Sequence, residues 1–209
     1  MRPIVLDNIE EKAPGEYAQL KPGPYACTIT KVEDVPDKEY LIVLLDIATG
    51  EQKGYFSDPF YDGKDFAHRL FLTYKADNLG MFKHNLHVIT DCNPGFDAEA
   101  AIAAGSEQML VGKAVGCVFR AEEYYDKKTD AFKLGSPRPD RLIRPDEFEK
   151  DSNRTPKPRM MTDERKVDAL ARAGFGNPTA HLAEMQTGDV PATPAVATKA
   201  DDYSDVPFM

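Results

Sequence analysis

Tryptophan is absent from the 209-residue chain, which removes the largest stacking side chain from whatever surface the protein uses. Cysteine occurs three times, at Cys27, Cys92 and Cys117. An odd number without close spacing argues against a disulfide framework and against a cysteine-based zinc site. No apolar run approaches the roughly 20 residues of a membrane span. The longest, Leu41 to Leu45, has the length of a buried strand. The first residues, Met1 to Asp7, lack the apolar core of a signal peptide, so the expected location is the cytoplasm, with no membrane partner. A basic surplus is missing too, the net charge being −9. Residues 1–149 hold 18 basic and 26 acidic side chains, a net −8, and residues 150–209 hold 8 and 9, a net −1. Indiscriminate duplex-DNA binding is disfavoured, because phosphate neutralisation normally shows as a basic excess. A local basic groove is still allowed, since binding responds to the local field.

Several chemical signatures are also lacking. There is no Gly-rich Walker loop, no Gly-x-Gly-x-x-Gly and no Gly-x-Ser-x-Gly, so ATP-driven and nucleophilic chemistry are disfavoured. Glu33-Asp34, Asp62 with Asp65, and Glu122-Glu123 could contribute to a divalent-metal nuclease, but no convergent motif links them and turns give the same composition. His84 and His87 share a helical face with Cys92 close behind, without enough further ligands for zinc. The expectation is a protein that is not an enzyme and uses no cofactor and no metal.

What is present is ordinary globular material, 42% hydrophobic and 29% charged, enough for one sizeable core. Tyr25 to Val32 alternates and Tyr40 to Ile47 is nearly all apolar, with turn chemistry at Asp34 to Lys38 between them, which predicts an antiparallel pair. A strand is expected over His68 to Tyr74. Helical spacing over Asp77 to Ile89 puts Leu79, Phe82, Leu86 and Ile89 on one face, and Asn93-Pro94-Gly95 ends that helix. An Ala-rich short helix over Asp97 to Ala104 follows, then strands at Lys113 to Tyr124 and Ala131 to Leu134, with Arg141 to Arg144 extending the pairing. This order predicts a mainly β chain with a helical insertion, an OB-fold-like antiparallel barrel, followed by a largely disordered C-terminal tail. The expected organisation is a 1–149 domain, a 150–200 flexible linker with a short helix at 162–173, and a 201–209 acidic tip. The linker reading rests on Asp151 to Arg159 and on the Pro, Ala and Thr of Thr187 to Ala200, which hold little to bury.

Aromatic and basic residues lie side by side repeatedly. Single-stranded DNA exposes base faces and phosphates together, so its binders need rings beside cations. For any single pair, core rings beside solvated lysines explain the pattern equally well, and it is the recurrence that carries weight. The candidate DNA-binding set is Tyr55, Tyr61, Lys64, Arg69, Tyr74, Lys75, Tyr125, Lys127, Lys128, Phe132 and Lys133, with Arg138, Arg141 and Arg144 as an electrostatic rim.

The run from Gly23-Pro24-Tyr25 through Thr30 to Leu41, with Asp46-Ile47-Ala48 and Lys53-Gly54-Tyr55-Phe56, resembles a family of small phage-encoded single-stranded-DNA-binding proteins with an OB-like domain. Tyr74-Lys75, Met81-Phe82-Lys83, Asn93-Pro94-Gly95, Leu110 to Lys113 and Glu122-Glu123-Tyr124 extend the resemblance over residues 20–148. At the other end, Asp205-Val206-Pro207-Phe208 is similar to the acidic tip of bacterial single-stranded-DNA-binding proteins, where Phe is terminal, whereas here Met209 follows it. The resemblance implies a non-enzymatic protein that coats single-stranded DNA in phage replication or recombination, in the host cytoplasm. It further implies recruitment of replication and recombination proteins through Asp201, Asp202, Asp205, Val206, Pro207 and Phe208. A homo-oligomer is compatible with this reading. The alternative is a protein-interaction module of a phage recombination complex with weak or no DNA binding, to which the acidic domain lends weight.

Overall fold

The computed structural model describes residues 19–151 and 155–187. The expected tether beyond 187 and the tip at 201–209 lie outside the described residues. The chain divides into two compact units, one comprising the chain up to Tyr124 together with Leu134–Met160, the other Tyr125–Lys133 and the chain from Met161 onward.

The first unit is built on β1 (Gly23–Val35), β2 (Tyr40–Ile47), β3 (Arg69–Thr73), β4 (Ala114–Arg120) and, after the hairpin strands β5 (Glu123–Asp126) and β6 (Ala131–Leu134), β7 (Arg138–Ile143). Five of these form one antiparallel sheet in the order β3-β2-β1-β4-β7. Its two edge strands, β3 and β7, approach each other, so the sheet is a nearly closed barrel, as the element order predicts. Strand β1 is long because it serves two partners, β4 along its first half and β2 along its second. A bulge between Ile29 and Lys31 shifts the alternation by one residue: Cys27 and Ile29 point inward before it, Val32 after it. The pairs Leu41↔Leu72 and Val43↔Leu70 fill the interior between β2 and β3, while Tyr40↔Thr73 and Ile42↔Phe71 share the outer face.

Strand β4 reaches β7 closely enough that position 116 must be glycine. A Cβ there would sit 2.7 Å from the Ile143 carbonyl oxygen and 2.8 Å from its Cγ1. Phe119 is fully buried, edge-on to Tyr25 at 5.5 Å and parallel to Phe56 at 5.8 Å. Helices α1 (Leu79–Asp91) and α2 (Ala98–Ala103) connect β3 to β4. Asn93 joins the end of α1 to the start of β4: its amide donates to the Ile89 and Ala114 carbonyls, and its oxygen accepts from the Ala114 N–H. Asp97 caps α2 through the Ala100 N–H at 2.9 Å.

Two details differ from the sequence reading here. Leu79 is 52% exposed, because it opens α1 directly after the turn at Ala76–Asn78 and the buried stripe begins only at Phe82, while Val88 is enclosed. The single strand expected over Lys113 to Tyr124 is two, β4 and β5. The chain leaves the sheet at Ala121, whose carbonyl accepts the Arg159 N–H at 2.9 Å, while the Glu123 N–H donates to the Arg159 carbonyl at 2.9 Å.

The stretch expected as the start of a flexible linker therefore belongs in part to the first unit. Helix α3 (Pro145–Asp151) extends the unit past β7. Residue Arg159 then bridges to Glu122 (2.9 Å) and to Asp140, whose side chain is only 7% exposed and also receives Arg120 at 2.7 Å. In the second unit, α4 (Asp163–Ala173) matches the expected short helix, with Thr162 capping it and Gly174 ending it in the left-handed region. Helix α5 (Pro178–Thr187) corrects the linker reading: Asn177 accepts the Ala180 N–H, Pro178 opens the helix and Leu182 is buried.

Candidate nucleic-acid interface

Strands β2 and β4 are both antiparallel to β1, so they run the same way and finish at the same end of the barrel. The connection after β2 and the connection after β4 thus leave from one end, which brings together residues about 70 positions apart. The first connection is anchored from inside. Buried Asp46 accepts the N–H groups of Ile47 (2.8 Å) and Phe56 (2.9 Å) and the Ser57 hydroxyl, fixing the turn at Tyr55–Ser57. Where that connection re-enters the sheet, His68 is buried; its Nδ1 donates to the Leu45 carbonyl at 2.8 Å, and its ring stacks on Phe56 at 4.9 Å.

Between the two connections lies a cleft of about 530 Å³, lined by Leu20, Tyr55, Phe56, Phe60, Tyr61, Lys64, Phe66, Tyr124 and Arg138, with Glu122, Glu123 and Gly135 to Pro137 on one wall. Its rings form a graded surface. Tyr55 and Tyr61 pack on the core and against each other at 5.1 Å, whereas Phe60, Phe66 and Tyr124 are 52%, 49% and 46% exposed. Cations sit on the exposed rings: Lys64 Nζ is 3.3 Å from the Phe60 centroid and the Arg138 guanidinium is 5.4 Å from that of Phe66. Burial, reinforced by the hydrogen bond with Tyr55, pushes the Tyr61 phenol up, so it stays neutral at physiological pH and puts no anion in the cleft. On the acidic wall, Glu122 is paired with Arg159.

The sequence candidates fall into five groups. Tyr55, Tyr61, Lys64 and Arg138 meet in this cleft. Arg69 lies on the outer β2–β3 face, its guanidinium 4.7 Å over Phe71, which is 48% exposed and meets the edge of Tyr40 at 5.0 Å. Tyr74 and Lys75 follow β3 at the opposite end of the barrel. There the Tyr74 hydroxyl donates to Asp34 at 2.7 Å, and that bond pushes its pKa up to about 12, while Lys75 is exposed. Along β7 and beyond, Arg141 is exposed opposite Val118, and Arg144 is held by Asp91 at 2.8 Å.

Tyr125, Lys127, Lys128, Phe132 and Lys133 belong to the second unit. Tyr125 packs on Phe132 at 5.3 Å and on Phe175 at 6.0 Å, Lys166 lies 5.0 Å over Phe132, Lys127 donates to the Arg172 carbonyl at 3.3 Å, and Lys133 pairs with Asp126 at 2.9 Å. Lys128 is exposed. Phe60, Phe66, Phe71 and Tyr124 are absent from the sequence-derived set. The signal for Phe71 was its place between inward Leu70 and Leu72; the signal for Phe60 was Lys64 four residues on.

Among the described residues no group of three or more His, Cys, Asp or Glu side chains is placed to hold a metal ion, and no helix is long and apolar enough to cross a membrane. His87 is engaged by Glu99 at 3.0 Å, which also pairs with Lys83. No protein-family model matches the chain, and no curated protein sequence matches it.

Proposed function

We propose that the barrel binds single-stranded nucleic acid, DNA by preference, without reading sequence. The observation that carries this reading is the cleft at one end of an OB-like barrel, where exposed Phe60, Phe66 and Tyr124 stand with Lys64 and Arg138 against the rings. Bases stack on the ring faces and phosphates meet the two cations. Arg69 and Phe71 on the outer β2–β3 face continue the same pairing of cation and ring, on the face that OB-folds use for oligonucleotides. The biological setting proposed is the coating of exposed strands in phage replication or recombination. The tip from Asp201 to Phe208, outside the described residues, recruits partner proteins there.

Fluorescence anisotropy with a labelled oligo-dT tests this. Phe60→Ala and Tyr124→Ala remove exposed rings and should each weaken binding by about 1–3 kcal/mol, or roughly 5- to 150-fold, with the melting temperature nearly unchanged. Unaltered affinity in both folded variants would refute the cleft. The net −8 of residues 1–149 favours the second reading, a protein-interaction module. Failure of the wild-type chain to bind oligo-dT at low salt would select that module.

A further inference from the structure

We propose that α4 and α5 form a removable cap over the tip of the β5–β6 hairpin, holding a further nucleic-acid contact closed, with His181 on Asp130 as the latch. This rests on the function proposed above and extends it to a built-in restraint. The hairpin tip, Tyr125–Lys133, carries two rings and three lysines, and the groups a single strand would use there are taken up inside the second unit. Phe175 covers Tyr125, Lys166 lies over Phe132, and Lys127 donates to the Arg172 carbonyl in the last turn of α4. The latch joins the two parts directly. Asp130 accepts both the Tyr125 hydroxyl and His181 Nε2, the latter at 2.9 Å, and the His181 ring stacks on Phe175 at 4.0 Å with Glu184 3.9 Å from its Nδ1.

The buried apolar side chains of the second unit's described residues are Leu170 and Leu182. Helices of 11 and 10 residues are marginal on their own, so α4 and α5 depend on this docking. A strand that stacked on Tyr125 and Phe132 would have to displace Phe175 and Lys166, so the closed state lowers the apparent affinity by the fraction of molecules that are open.

The test uses the full-length protein. H181E sets a carboxylate against Asp130 and Glu184 and should open the cap. Amide hydrogen exchange should rise across residues 163–187 while the barrel strands keep their protection. Oligo-dT affinity should increase about fivefold or more, as expected when the competent fraction rises. Adding Y125A to H181E should abolish that gain. L182E, which breaks the cap through its apolar contact, serves as an independent opener if H181E leaves exchange unchanged. Wild-type binding with no gain in a variant whose helices exchange freely would overturn the cap while leaving the cleft's function intact. Unchanged exchange in both variants would overturn it as well. Absence of binding in every variant, open or closed, would instead remove the proposed function on which the inference rests.

Discussion

Replacing Arg159 with alanine isolates the contact that ties the segment after α3 to the barrel. The guanidinium makes two ion pairs, with Glu122 and with Asp140, and the Asp140 side chain is 7% exposed. Removing one partner of a buried pair costs about 3–5 kcal/mol when the remaining charge is left uncompensated. Asp140 keeps Arg120 at 2.7 Å, and the main-chain bonds of residue 159 to Ala121 and Glu123 survive the substitution. The loss should therefore fall to the range of a hydrogen bond to a charged group, about 1.5–3 kcal/mol. For a domain of this size that is a drop in melting temperature of about 3–12 °C. Lys150→Ala is the control: its pair with Asp146 has side chains 75% and 65% exposed, so solvent screens it and the melting temperature should stay near that of the wild type. Arg159→Lys should fall between the two, since an ammonium lacks the planar fork that spans both carboxylates. Calorimetry on the three variants decides it. A melting temperature for Arg159→Ala equal to that of Lys150→Ala would refute the reasoning that this network clamps the segment.

Gly116→Ala should destabilise the barrel by about 1–3 kcal/mol, because the new methyl meets the Ile143 carbonyl; denaturant unfolding with an unchanged midpoint would contradict that packing. Phe119→Ala empties the fully buried ring site between Tyr25 and Phe56 and should cost about 3–5 kcal/mol by the same measurement. Lys133, then the Lys128 N–H and the Thr129 hydroxyl, hold the Asp126 carboxyl down at about 2. A depressed folded-state pKa means that the hairpin tip gains stability above the ordinary carboxylate range and loses it as pH falls from about 4 toward 2. An NMR titration of Asp126 with a midpoint near 4 would contradict this.

Legibility in the sequence tracked how local each feature is. Strand β2 was readable because an uninterrupted apolar run follows the Pro36-Asp37-Lys38 turn, and α2 because Asp97 precedes an Ala-rich stretch. The bulge in β1 was not, since Thr30 carries no mark distinguishing it from any alternating residue. Helix α5 had a start signal in Asn177-Pro178, but its single buried anchor, Leu182, let it merge with the Ala-rich tail. Half of the cleft was out of reach for a topological reason. Phe60 and Phe66 meet Tyr124 and Arg138 only because β2 and β4 run the same way, a property of strand pairing. Tyr125 and Phe132 show the converse. Their lysine neighbours make them sequence candidates for a DNA contact, while the partners that occupy them, Phe175 and Lys166, lie about 35 to 50 residues downstream.

The central claim is that the cleft engages a single strand through stacking supported by a few cations. Its most direct test is the salt dependence of oligo-dT binding to the wild-type chain and to the Lys64→Ala/Arg138→Ala double variant. With Lys64, Arg69 and Arg138 each neutralising one phosphate, log K should fall against log salt with a slope of about −2, since each single-strand phosphate contact contributes about −0.7. The double variant should flatten the slope to about −0.7 and retain residual binding from the rings. Equal slopes for the two proteins, or no binding by the wild type at low salt, would contradict the account.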